Sequence, residues 1–263
     1  MKKGLFLCGF VVTLSLLLAA MDWYANEAAE MYALELGQAG KDVTWYPTPQ
    51  KHVDTMLDMA QVTAADFVID LGSGDGRIVI SAAKRGAMAL GIEYNPDLVE
   101  SAKRAAIEEE VGARVSFEKA DIFESDFSKA TVLTMYLLSS LNLRLRPTIL
   151  EMKPGTRIVS YRFDMGDWKP DQAERMGLYI IHLWVVPAKV NGTWQLDNGR
   201  ISFIQEFQNV AGTLTMGEDM VLTGKLDGNK ISFTAGGVEY TGMVSGNTIS
   251  GMYGGGGSWK ATR

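Results

Sequence analysis

Cysteine is almost missing from this chain: the only one of 263 residues, Cys8, lies inside an apolar N-terminal stretch. Beyond it there is no thiol to form a disulfide or to build a cysteine metal site. Histidine is nearly as scarce, with His52 and His182 alone, too few for a His-rich centre. No metal is expected. A basic excess is lacking too, since 25 Lys and Arg face 31 Asp and Glu for a net charge of −6. That balance argues against a broad nucleic-acid-binding surface. What the chain does have is 47% hydrophobic residues, enough to fill the core of one large domain or two smaller ones.

The N-terminus reads as a targeting segment. Met1-Lys2-Lys3 is followed by Gly4 to Ala20 without a charge, the basic end and apolar centre of a secretory signal. Seventeen residues would span ~25 Å as a helix, just short of the ~30 Å hydrocarbon core. A signal cleaved after Leu18-Ala19-Ala20 and an uncleaved anchor, with membrane attachment through residues 4–20, are both open. Residues 1–24 are assigned to this segment, and the expected location is exported or inner-membrane anchored in a bacterial envelope. An anchor that leaves the domain facing the cytoplasm stays open.

The most informative stretch is Asp66-Phe67-Val68-Ile69-Asp70-Leu71-Gly72-Ser73-Gly74-Asp75-Gly76. An apolar run into Gly-x-Gly predicts a buried parallel strand, a turn that brings bare backbone to a ligand, and a helix from Arg77. The nicotinamide fingerprint needs a third glycine at position 77, where arginine stands. Two carboxylates, Asp70 and Asp75, suit a cationic ligand better than a pyrophosphate. A second strand, 87–92, ends at Glu93, seventeen residues past Gly76, close to the ~20-residue spacing at which an acid meets ribose hydroxyls. A third strand, 114–117, precedes Asp121.

Around this turn the chain alternates strands and helices. Thr48-Pro49 predicts a helix start, with Val53, Met56, Leu57 and Ala60 on one face. Further helices are expected at 77–85, from Asn95-Pro96 to about Glu110, and near 141–152, with strands at 131–135, 156–161 and 179–186. This order predicts an α/β fold, a Rossmann-like and mostly parallel sheet with helices on both faces. From 188 the texture becomes all-β: 15 of the 28 glycines fall there, and six acids balance six bases. Asp227-Gly228-Asn229 and Ser245-Gly246-Asn247 mark two hairpins in a weak repeat. A meander or partial barrel is expected over 188–263, with Gly254 to Gly257 as a turn. Gly192-Thr193-Trp194 suits either its first strand or the last strand of the sheet.

The glycines at 72, 74 and 76 behind Asp70 resemble motif I of the class I S-adenosylmethionine (SAM) methyltransferases. More narrowly, Trp45-Tyr46-Pro47-Thr48-Pro49, Asp70 to Ile80, Gly91-Ile92-Glu93 and Arg157-Ile158-Val159-Ser160 are similar to the ATP synthase c-subunit lysine methyltransferase family and its bacterial relatives. The resemblance to Dot1-type enzymes is more distant. It covers about half the chain and implies that 25–187 is a methyltransferase domain using SAM as co-substrate. The implied cofactor-binding set is Asp70, Gly72, Ser73, Gly74, Asp75, Gly76, Glu93, Asp121, Tyr46 and Thr48, with Asp121 accepting from the adenine amino group. The acceptor implied is a protein lysine. Where enzymes acting on planar nitrogens carry Asn/Asp-Pro-Pro-Tyr/Phe, this chain reads Met135-Tyr136-Leu137-Leu138-Ser139-Ser140-Leu141-Asn142. Tyr136 and Asn142 are the catalytic candidates, although both equally suit capping roles. A competing reading is an inactive SAM-fold interaction protein of the cell envelope, since export would part the enzyme from cytoplasmic SAM.

Overall fold

A computed structural model describes residues 45–263. The apolar leader and the segment up to residue 44 lie outside the described residues. Helix α1 (Gln50–Met59) buries Val53, Met56, Leu57 and Met59, the face its spacing dictates. It begins one residue later than expected. Pro49 holds the cap position, its carbonyl accepting from the His52 and Val53 N–H groups, so Thr48 makes no side-chain cap.

Then follow β1 (Phe67–Leu71), α2 (Arg77–Lys84), β2 (Met88–Glu93), α3 (Pro96–Glu108), β3 (Val115–Lys119), β4 (Val132–Met135), α4 (Ser139–Leu150), β5 (Arg157–Tyr161), β6 (Gln172–Met176) and β7 (Tyr179–Val185). The strands form one sheet in the order β3-β2-β1-β4-β5-β7-β6. β1 to β5 run parallel, and β7 lies antiparallel to both β5 and β6. The strand order reverses beside β1, which places a crevice at its carboxyl end. Asn95 caps α3 by accepting from the Asp97 N–H at 2.9 Å, with Pro96 in the first helical position. One sheet face, through Val68, Ala89, Val132 and Val159, shares a buried cluster with α1, α2 and α3. β6 escapes sequence reading because it is an exposed edge strand without apolar alternation, held by its ladder to β7 and by Met176 against the core.

The glycine-rich part closes completely. β8 (Gly192–Leu196), β9 (Gly199–Glu206), β10 (Asn209–Met216), β11 (Glu218–Asp227), β12 (Lys230–Ala235), β13 (Val238–Ser245), β14 (Thr248–Tyr253) and β15 (Gly257–Thr262) form an eight-stranded antiparallel barrel, sealed where Thr262 meets Gln195. The expected all-β meander is present and its closure is complete, and Gly192-Thr193-Trp194 belongs to the barrel. Eight strands leave an interior just wide enough for side chains. Trp194, Phe203, Phe233 and Tyr240 fill it, with Phe233 and Tyr240 stacked at 4.9 Å. Gly228 and Gly246 open their two-residue hairpin loops at φ +58° and +56°, a region that favours glycine.

Pro47–Arg263 is one compact unit, so the sheet and the barrel share a junction. The indole of Trp168, on the segment between β5 and β6, donates to Gln208 Oε1 at 3.0 Å, and Gln208 Nε2 donates to the Lys169 carbonyl at 2.9 Å. Trp184 of β7 donates to the Trp168 carbonyl at 2.8 Å, and Phe207 stacks on Trp168 at 5.9 Å. The two indoles and the Gln208 amide thus have their partners, as burial demands.

Candidate active site

The turn after β1 is shaped by what glycine lacks. Gly72, Gly74 and Gly76 take φ of +76°, +54° and +80°, a region costly for residues with a Cβ. A Cβ on Gly76 would lie 2.8 Å from the Ala102 Cβ and the Phe117 ring, and one on Gly91 would lie 2.5 Å from Ser73 Oγ. The turn is tied to β2, since the Gly72 and Ser73 N–H groups both donate to the Ile92 carbonyl. Ser73 Oγ is buried with no hydrogen-bond partner.

Two buried carboxylates face this turn from neighbouring strands. Glu93 accepts from the Gly74 N–H through one oxygen and from the Asn95 N–H through the other, both at 2.9 Å. That fixes its orientation and leaves lone pairs for a ligand. Asp70, 2% exposed, accepts from Thr134 Oγ1 at 2.7 Å. Burial pushes its pKa up from 3.8 to about 7; the Thr134 hydrogen bond opposes this, while the charges of Glu93 and Asp75 add to it.

Asp75 is differently engaged. Its carboxylate is paired to the Arg77 guanidinium, with contacts from Nε at 2.9 and 3.0 Å and from Nη2 at 2.5 Å. The third Arg77 nitrogen, Nη1, donates to the Thr48 carbonyl at 2.9 Å. The pair therefore clamps the segment entering α1 against the glycine turn, and the Asp75 carboxylate is engaged by a guanidinium. Thr48 is buried there, whereas Tyr46 is 54% exposed. Asp121 lies just past β3 and accepts from the Phe123 N–H at 3.0 Å.

At the same sheet edge, one and two strands away, stand Tyr136 after β4 and Tyr161 at the end of β5. Their rings meet edge to face at 4.8 Å, Phe163 lies 6.1 Å from Tyr136, and Tyr179 lies 5.6 Å from Tyr161. The Tyr161 hydroxyl hydrogen-bonds His52 Nδ1 at 2.9 Å, and burial pushes its pKa up to about 12. Asn142 does not join this cluster. It sits one turn into α4, fully buried, and its Nδ2 donates to Ser160 Oγ and to the Phe163 and Asp164 carbonyls at 3.2 to 3.3 Å. Through Nδ2 Asn142 holds the 160–164 turn, while its Oδ1 is buried without a hydrogen-bond partner. Sequence reading missed His52, Tyr161, Phe163 and Tyr179. Their one signal, tyrosines at three strand ends, needs the strand order to become visible.

The sequence model of the ANTKMT methyltransferase domain matches residues 70–172. A protein-lysine N-methyltransferase of Saccharolobus islandicus is 44% identical over 133 residues, spanning 49% of this chain and 83% of that protein. The chain belongs to the protein-lysine N-methyltransferase family. The human ATP synthase c-subunit lysine N-methyltransferase is 32% identical over 133 residues, 50% of this chain and 57% of that protein. A solved chain from Salinibacter ruber, described as an RNA methyltransferase in complex with S-adenosyl-L-homocysteine (SAH), is 48% identical, with 55% of this methyltransferase and 96% of that chain covered and a TM-score of 0.54.

The protein is thus a SAM-dependent methyltransferase, and its site fits that co-substrate. Gly72, Gly74 and Gly76 present bare backbone in a left-handed turn, Ser73 Oγ is an orphaned donor, and Asp70 and Glu93 are acceptor-rich. Among the described residues no group of three His, Cys, Asp or Glu could hold a metal ion. The raised Asp70 pKa carries a pH signature. Between pH 4 and 7 the folded protein retains a proton that the unfolded chain releases, so this group's contribution to stability falls across that window and is level above it. A cationic ligand favours the ionised form, so SAM affinity should rise about tenfold from pH 6 to pH 8 and then level. Calorimetric titration checks it: Asp70→Asn should flatten the profile, and an unchanged slope in that variant would refute the assignment.

Proposed function

We propose that this methyltransferase transfers the SAM methyl group to the Nζ of a protein lysine. The observation that carries the acceptor is the 44% identity to a protein-lysine N-methyltransferase across 83% of that protein. The RNA acceptor in the description of the Salinibacter chain fits less well with a net charge of −6, because RNA binding draws on phosphate neutralisation.

The roles follow from position. Asp70 would face the cationic methionine end, Glu93 would accept from the ribose hydroxyls, and Asp121 from the adenine amino group. Ser73 and the bare backbone of Gly72, Gly74 and Gly76 would line the cradle, with Thr48 at its entrance. SAM supplies an electrophilic methyl on a sulfonium. The lysine lone pair forms the N–C bond as the C–S bond breaks with its electrons going to sulfur, so the protein's task is positioning. The lysine must first lose its proton. Tyr161, with its pKa about 12, keeps its own, and the proton leaves to water from an amine partly desolvated beside Tyr136.

Incubating the protein with methyl-labelled SAM and cell extract, followed by mass spectrometry, tests the reading. Label on lysine is expected; label in RNA with none on lysine would overturn it. The N-terminal pattern supports a second proposal, that the domain is exported or anchored. A C-terminal alkaline phosphatase fusion should then be active, and an inactive but intact fusion would place the domain in the cytoplasm.

A further inference from the structure

The tyrosine edge already holds a cation. Arg162 follows β5 in a three-residue turn closed by the Phe163 N–H donating to the Tyr161 carbonyl at 3.0 Å, with φ +74° at Arg162 itself. That turn is rare and strained for a non-glycine residue, and such strain clusters at sites that use it. It is held from both sides: the Arg162 N–H donates to the Ile180 carbonyl at 2.7 Å, and Asn142 and Ser160 grip the Phe163 carbonyl. The turn aims the guanidinium at aromatic faces, 5.1 Å from the Phe163 centroid and 5.2 Å from that of Tyr179. Both distances lie within the ~6 Å reach of a cation–π contact. The Tyr136 side chain lies beside the same guanidinium and helps to hold its pKa up.

This ring set stands where an acceptor must arrive. Met135, just before Tyr136, pairs with Leu71, just before Gly72, so the rings sit one strand from the glycine turn at the same sheet edge. Arg162 is exposed and Tyr179 is 36% exposed, so the set opens to solvent. A lysine approaching SAM presents an ammonium, and its methylated products remain cations. We propose that Tyr136, Phe163 and Tyr179 bind the acceptor's ammonium, and that Arg162 occupies that place in the free enzyme as an internal competitor that must swing out. The inference rests on the lysine reading above and adds to it a named acceptor subsite with a built-in gate.

The test uses the full chain saturated with SAH and the probe Nα-acetyl-Nε-trimethyllysine amide, followed by tyrosine fluorescence. One exposed cation–π contact changes affinity by about threefold. Arg162→Gln should therefore bind the probe about threefold more tightly, Tyr179→Leu about threefold more weakly, and Tyr179→Phe should recover the wild-type value because it keeps the ring. SAH affinity should be the same in all four proteins, which separates a local effect from misfolding. Probe binding that ignores Arg162→Gln, or that Tyr179→Phe fails to recover, would overturn the proposal. The labelling assay separates the two readings. Lysine methylation by the wild type together with indifferent variants removes only the subsite, whereas label on RNA alone removes the lysine acceptor.

Discussion

Glu93→Ala should lose SAH binding by about a hundredfold or more, the largest effect expected of any single carboxylate in the site. Each bond to a charged acceptor contributes ~1.5–3 kcal/mol, and leaving a buried donor unpaired costs ~1–3 kcal/mol. Glu93, 8% exposed, satisfies the N–H groups of Gly74 and Asn95 and is the residue proposed above to accept from the ribose hydroxyls. Its loss removes the ligand contact and frees the glycine turn together. Glu93→Gln keeps one acceptor oxygen and should fall between the two. Isothermal titration with SAH decides it, beside a thermal melt to show that the variant folds. A folded Glu93→Ala protein that binds SAH within fivefold of wild type would remove Glu93 from the cofactor set.

Gly76→Ala should be the most destabilising methyl group that can be added near the site. A left-handed φ costs a side chain ~1–2 kcal/mol, and overpacking adds ~1–3 kcal/mol. Both apply, since φ is +80° and the new Cβ would meet Ala102 and Phe117 at 2.8 Å. The expected loss is therefore ~2–5 kcal/mol in urea unfolding. Gly177 is the control, with φ +64° and nothing within 4 Å. Gly177→Ala should cost only the backbone share, ~1–2 kcal/mol. Equal losses at the two positions would show that packing around Gly76 contributes little.

Both predictions concern residues legible in the sequence, and the reason is physical. A buried strand, an acid and glycines forced into left-handed backbone are consecutive in the chain, so Asp70, Gly72, Gly74 and Gly76 could be read by local pattern alone. Glu93 needed only the end of the next strand. Asp75 shows where that logic stops: its charge suggested a ligand, while its partner, Arg77, is set by how the first helical turn folds back on Thr48. Asn142 shows the same limit, because a residue's facing on a helix depends on where the helix begins.

By itself the sequence determined the sheet's α/β character, the glycine cradle with its two strand-end acids, and a change to β structure past residue 187. Those features arise from neighbours in the chain. Only the tertiary structure decided that eight short strands close into a barrel, that Gln208 and Phe207 grip Trp168, and that Tyr136, Phe163 and Tyr179 gather around Arg162. Strand order and register bring those residues together across the fold, and no local spacing encodes either one.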